Sequence, residues 1–167
     1  MLKLTIKDDP EAFQRRVDAL QKLKNTKVNV GLPEKAGGSL RFILAVQEHG
    51  SPIMRIPSRP VIKPALARSE TRQAMASAMK SAIGAAWEGD DAAAHEALES
   101  AGQSGADGIR DYIDSHIPPP NSPLTVEGGW FYNRVAKKAV YVRGKGFNKP
   151  LFDTGALYAA FDYEIEE

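Results

Sequence analysis

The sequence predicts an α+β fold in which a small sheet is flanked by long helices. Three observations carry this. Apolar and polar residues alternate near both ends of the chain, with Leu2, Leu4 and Ile6 between Lys3, Thr5 and Lys7, and later Phe161, Tyr163 and Ile165; that period of two marks a half-buried strand. Alanine-rich and apolar-periodic stretches fill the middle, from Ala65 to Trp87 and from Asp91 to Ile117. Proline clusters, Pro52 to Pro64 and Pro118 to Pro123, bound those stretches and stop helix there.

The elements follow in order. A first strand covers Leu2 to Ile6. Asp9 before Pro10 reads as an N-cap with proline at the first helical position, and Phe13, Val17, Leu20 and Leu23 recur at helical spacing as far as Lys24. Val28 and Val30 alternate with Lys27 and Asn29, a second strand returning beside the first. Residues 33–39 form a mobile glycine-rich loop, and Leu40, Ile43, Leu44 and Gln47 mark one face of a short helix ending at Gly50.

The segment SPIMRIPSRPVIKP is extended, because its four prolines cannot donate to a continuous ladder. A helix runs on from Ala65, with Leu66, Met75, Met79, Ile83 and Trp87 as an apolar stripe expected to face the core or, in an assembled subunit, in part a neighbour. Gly89 and Asp90 break it. The next helical stretch is weakened around Gly102 to Gly108, which fits two helices or one kinked helix. Residues 121–150 read as a long loop or arm, with a hairpin signal in AVYVRG and with Trp130, Phe131 and Tyr132 as candidate partner contacts. One domain over residues 1–167 accommodates all of this.

Composition narrows the function. Hydrophobic residues at 43% and charged residues at 26% suit a folded chain, and a net charge of +1 gives no global field for nucleic acid. The absence of cysteine excludes disulfides, thiol catalysis and thiolate metal sites, and fits a reducing compartment. The start of the chain lacks the apolar core of a signal peptide, and no stretch is long and apolar enough to predict a membrane span.

Few motifs carry chemistry. Leu151-Phe152-Asp153-Thr154-Gly155 resembles the active-site loop of retroviral-type aspartic proteases, which needs a second carboxylate, a flap and further strands. Twelve residues follow Gly155 here. The expected role of Asp153, Thr154 and Gly155 is therefore a structural turn and helix cap. His49, His95 and His116 lack metal-ligand spacing, and the glycine clusters lack phosphate-loop spacing. No catalytic residue, metal or other cofactor is expected. Lys137, Lys138, Arg143 and Lys145, with Lys149, Tyr141 and Phe147 nearby, form a possible DNA-facing patch; the plainer alternative is a solvated loop.

Two stretches together are similar to tail-completion or neck proteins of siphophages and Mu-like phages, the virion-morphogenesis group. One runs from Val30 to Ala65: a strand ending VGLP, a glycine-rich insertion, a helix ending AVQEHGSP, then IPSRPVIKPAL. The other is PLFDTGALYAAFDYEIE, similar to the family's closing segment. Val61 replaces a phenylalanine usual in the family, and Ala159-Ala160 stand where serine is common.

The resemblance implies a non-enzymatic virion protein at the head-tail interface, assembled in the host cytoplasm, whose copies form a sixfold ring around the DNA channel. Tail terminator and minor tail component are the neighbouring alternatives, and a nucleic-acid-binding accessory protein using residues 130–149 is the alternative of another class. Implied partners are further copies of the chain, connector or head-completion proteins, tail tube or tail terminator proteins, and packaged DNA passing through the lumen, with no membrane. Arg55, Ile56, Pro57, Arg59 and Pro60 are candidate subunit contacts, since proline-stiffened backbone loses little entropy on binding and the arginines suit carboxylates or phosphate.

Overall fold

The computed structural model describes residues 10–115, 117–133 and 136–166. Helix α1 (Pro10–Asn25) begins at its proline, with Glu11 in the first turn and Lys22 and Lys24 in the last, complementing the helix dipole. The expected Asp9 cap, the strand at Leu2 to Ile6 and His116 lie outside the described residues. Strand β1 (Lys27–Gly31) follows, then a short 3-10 turn at Glu34–Ala36 inside the predicted glycine-rich loop, then α2 (Gly38–His49) ending at Gly50.

The predicted helix from Ala65 is two helices. Helix α3 (Ile62–Ala67) stops at Arg68, whose extended backbone (ψ 144°) restarts the chain as α4 (Ser69–Glu88). No side chain of its own first residue caps α3; Glu48 on α2 does so, its Oε1 accepting from Val61 N at 2.7 Å and Ile62 N at 2.9 Å. Gly89 in the left-handed region closes α4, and Asp90 opens α5 (Asp91–Asp114) by accepting from Ala93 N at 2.9 Å. The two long helices thus pack as an antiparallel hairpin.

Helix α5 is continuous over 24 residues, despite its glycines. Gly102, Gly105 and Gly108 recur every third residue and are buried, so they line one stripe of the helix. A Cβ on Gly102 would lie 2.8 Å from Tyr163 Cβ, one on Gly105 2.9 Å from Val30 Cγ2, and one on Gly108 3.0 Å from Thr71 Cβ. The stripe that looks like a weakness in sequence is where α4, β1 and strand β4 (Asp162–Glu166) approach the helix backbone.

Strand β1 pairs antiparallel with β4, Val28 opposite Ile165 and Val30 opposite Tyr163. This two-stranded sheet lies on α5. A second, separate sheet joins β2 (Gly128–Asn133) to β3 (Lys138–Arg143), after the short helix α6 (Pro123–Glu127). The α+β class holds, with seven helices and two small antiparallel sheets among the described residues.

The main core gathers Leu44, Val61, Ala65, Ile109, Ile113, Ile117, Leu157 and Phe161 from α2, α3, α5, helix α7 (Ala156–Ala159) and the segments beside them. Phe161, Ile109, Ile113 and Val61 are fully buried, each worth about 1.5–3 kcal/mol over the exposed state. Of the expected stripe Leu66 packs on the core, but its part on α4 is corrected: Met79, Ile83 and Trp87 are 42%, 52% and 37% exposed, while Ala82 and Ala86 are buried with Thr71, which meets Gly108 of α5. Small side chains win there because they let two helices run close together along their length. The large residues fall toward α1, where the Arg16 guanidinium sits 5.2 Å from the Trp87 ring centre.

Candidate functional site

The segment read as a long loop, 121–150, is mostly ordered structure. Ser122 caps α6 by accepting from Thr125 N at 3.3 Å, and Pro123 takes its first turn. Gly128 then turns the chain sharply with φ 82°, and its Cα approaches Gly144 so closely that a Cβ would lie 2.5 Å from Gly144 N. The strands leave this crossing point as a hairpin, and AVYVRG supplies β3 and its exit. The hairpin base is tied down where Lys145 N and Gly146 N donate to Thr125 O and Val126 O at 3.0 and 2.9 Å.

Beyond α6 the hairpin projects from the body as an arm. Register puts Trp130 opposite Tyr141, Tyr132 opposite Ala139 and Gly128 opposite Arg143, so Trp130, Tyr132, Tyr141 and Arg143 share one face. Trp130 is 72% exposed, Tyr132 63% and Tyr141 57%. Trp130 and Tyr141 meet edge to face, ring centres 5.5 Å apart, which holds them as one platform. Phe131 lies on the opposite face with Val140. A two-stranded hairpin is marginal in water by itself, and here it leaves Trp130, Tyr132 and Tyr141 exposed on one face.

The other predicted site residues separate into two groups. Lys137, Lys138 and Arg143 are exposed on the hairpin. Lys145 is instead turned inward: its ammonium donates to Lys149 O and Phe152 O, both at 2.6 Å, and burial pulls its pKa below the usual lysine value. It fastens the arm to the segment before α7 and is not part of a DNA-facing surface.

The proline segment divides likewise. Ser51 and Ile56 exchange backbone hydrogen bonds of 2.8 and 2.9 Å, closing a tight loop with Ile53 and Met54 at its tip and Arg55 at φ 56°. Ile56 is half-buried, and Arg55, Pro57 and Pro60 are exposed. Arg59 is buried within its own chain, where Nε donates to Pro119 O at 2.8 Å and Nη2 to Pro120 O at 3.0 Å. Its expected pairing with a neighbour's carboxylate or with phosphate gives way to an internal clasp, because the carbonyls of the 118–120 proline run have no helix or strand to join.

At the Asp153-Thr154-Gly155 turn, Gly155 adopts φ 82° and the Thr154 hydroxyl accepts from Ala156 N at 3.3 Å at the start of α7. Asp153 is exposed. Among the described residues no group of three or more His, Asp or Glu side chains could hold a metal ion, and no helix is long and apolar enough to cross a membrane.

A groove missed in the sequence lies beside the β1–β4 sheet. It encloses about 340 Å³ and is lined by Leu32, Leu44 and Ile62 together with Arg41, Glu48, His49, Asp162 and Glu164. Asp162 is bound to Lys35 at 2.6 Å, which lowers the carboxyl pKa and raises that of the lysine. Nothing in the sequence brings α2 and the closing strand together; tertiary packing does. No family model matches the chain, and no curated protein or solved structure is similar to it at a significant level.

Proposed function

We propose that this chain is a non-enzymatic structural subunit of a tailed-phage particle, acting at the head-tail junction as a ring-forming neck or tail-completion protein. The observation that supports this reading is the meeting of the two resemblance-bearing stretches in one core. Val61 and Ala65 from the first pack with Leu157 and Phe161 from the second. The resemblance therefore falls on one cooperative unit and not on two unrelated loops. The exposed aromatic arm fits a subunit that completes its burial against a partner.

Deleting the gene from its parent phage tests the proposal. The expected lysate contains separate filled heads and tails by electron microscopy, restored to virions by the wild-type chain; intact infectious virions would overturn it. The basic residues and aromatic platform of the arm favour one second reading, a nucleic-acid accessory protein. Binding of single-stranded DNA by the purified chain, steeply weakened by salt, would support that instead.

A further inference from the structure

We propose that the arm of one copy docks into the groove beside the β1–β4 sheet of the next, with Trp130 as the anchor and Arg143 facing Glu164. The inference deepens the ring-subunit reading by naming the contact.

Charge is the first argument. Residues 128–143, the hairpin itself, contain four Lys or Arg and no Asp or Glu, so the arm carries +4 while the rest of this nearly neutral chain carries −3. A second copy therefore offers the arm an oppositely charged body. Position is the second. The groove combines apolar Leu32, Leu44 and Ile62 with Arg41, His49 and the carboxylates Glu48, Asp162 and Glu164. Of these, Glu48 is occupied capping α3 and Asp162 is occupied by Lys35. The exposed Glu164 carboxylate makes no side-chain hydrogen bond or close ion pair among the described residues and interacts with Lys35 only through space, which leaves it open to an incoming cation.

Composition is the third. Trp, Tyr and Arg on one face are the residue types that dominate protein interfaces, and a central Trp filling an apolar hollow is the usual anchor. The arm packs on α6 within its own chain, and the groove belongs to α2, α3, β1 and β4. Knob and hole are thus different patches, so the contact is head-to-tail and repeats from copy to copy, closing into a ring when the rotation allows.

The test uses the full-length purified chain in sedimentation velocity. The wild type is expected to self-associate, and Trp130→Ala to weaken that by about 30-fold, equivalent to about 2 kcal/mol. Glu164→Lys acts on the opposite side of the contact. Mixing the two variants restores one intact interface, Glu164→Lys arm into Trp130→Ala groove, and is expected to yield a one-to-one dimer that grows no further. This complementation also demonstrates that both variants are folded.

A wild type that stays monomeric up to about 0.1 mM overturns the arm-groove contact, while the particle role still stands or falls on microscopy of the deletion. Variants that assemble like the wild type overturn it as well. Arm-dependent binding of a single-stranded oligonucleotide, lost in Trp130→Ala while self-association persists, assigns the aromatic face to nucleic acid and equally overturns the proposal.

Discussion

Adding one methyl group to a helical glycine should stabilise this protein at Gly84 and destabilise it at Gly108. Both are inside long helices, so each Gly→Ala change gains about 1 kcal/mol of helix propensity. At Gly84 a Cβ meets nothing within 4 Å, and the full gain is expected. At Gly108 the same Cβ collides with Thr71, with the side-chain Cγ2 and Oγ1 closer still than its Cβ at 3.0 Å. Thr71 is 7% exposed and β-branched, so it has little room to rotate away.

Helices α4 and α5 must then separate, at a typical overpacking cost of about 1–3 kcal/mol. The helix gain is common to both and cancels, so the two variants should differ by the overpacking cost itself, about 1–3 kcal/mol, or roughly 2–12 °C in Tm for a chain of this size. Thermal unfolding followed by circular dichroism reads this directly. Thr71→Ala combined with Gly108→Ala should recover part of the loss, a coupling that a double-mutant cycle isolates. If Gly108→Ala raises Tm as Gly84→Ala does, the glycine stripe is not the seam that joins the helices.

Three further outcomes follow from the internal contacts. Arg59→Met should lose about 1.5–3 kcal/mol in urea unfolding, because the charged donor that clasps Pro119 O and Pro120 O is removed; an unchanged midpoint would return Arg59 to the surface. Glu48→Ala should lose about 1–2 kcal/mol, since Val61 N and Ile62 N lose their cap, and Glu48→Gln should lose less because an oxygen acceptor remains. Asp162 has a folded pKa below its unfolded value, held down first by the hydrogen bond from Lys35. Its contribution is therefore present above the ordinary carboxylate range and lost as pH falls through the lower folded value, so Asp162→Asn should flatten the acid side of a Tm-against-pH profile; an unchanged acid limb would discount the pair.

Much of the helix and strand placement was legible because it rests on local rules. Pro10, Gly50, Gly89 and Asp90 mark helix ends by backbone geometry and capping, and the alternation around Val28 and Tyr163 marks strands by their period. Those signals need no knowledge of what lies across the fold. The Gly155 turn was legible for the same reason, since glycine readily takes the positive φ with which the chain enters α7.

The partnerships were decided only in three dimensions. Val28 and Val30 could pair with any strand, and their pairing with β4 follows from α5 bringing the two chain regions together. Met79, Ile83 and Trp87 have the spacing of a core stripe, yet alanine and threonine occupy the seam because close helix approach rewards small volume over large apolar area. The glycines of α5 read as breakers until their neighbours are seen. Arg59 and Lys145 look in sequence like free surface cations; loop carbonyls distant from or beside them turn each inward, while Arg143 on the same arm keeps its solvent face. By itself the sequence determined where backbone geometry allows helix, strand and turn, because those preferences are set within a few residues; which faces become core, clasp or contact surface was decided by tertiary structure, because burial depends on what the rest of the chain brings alongside.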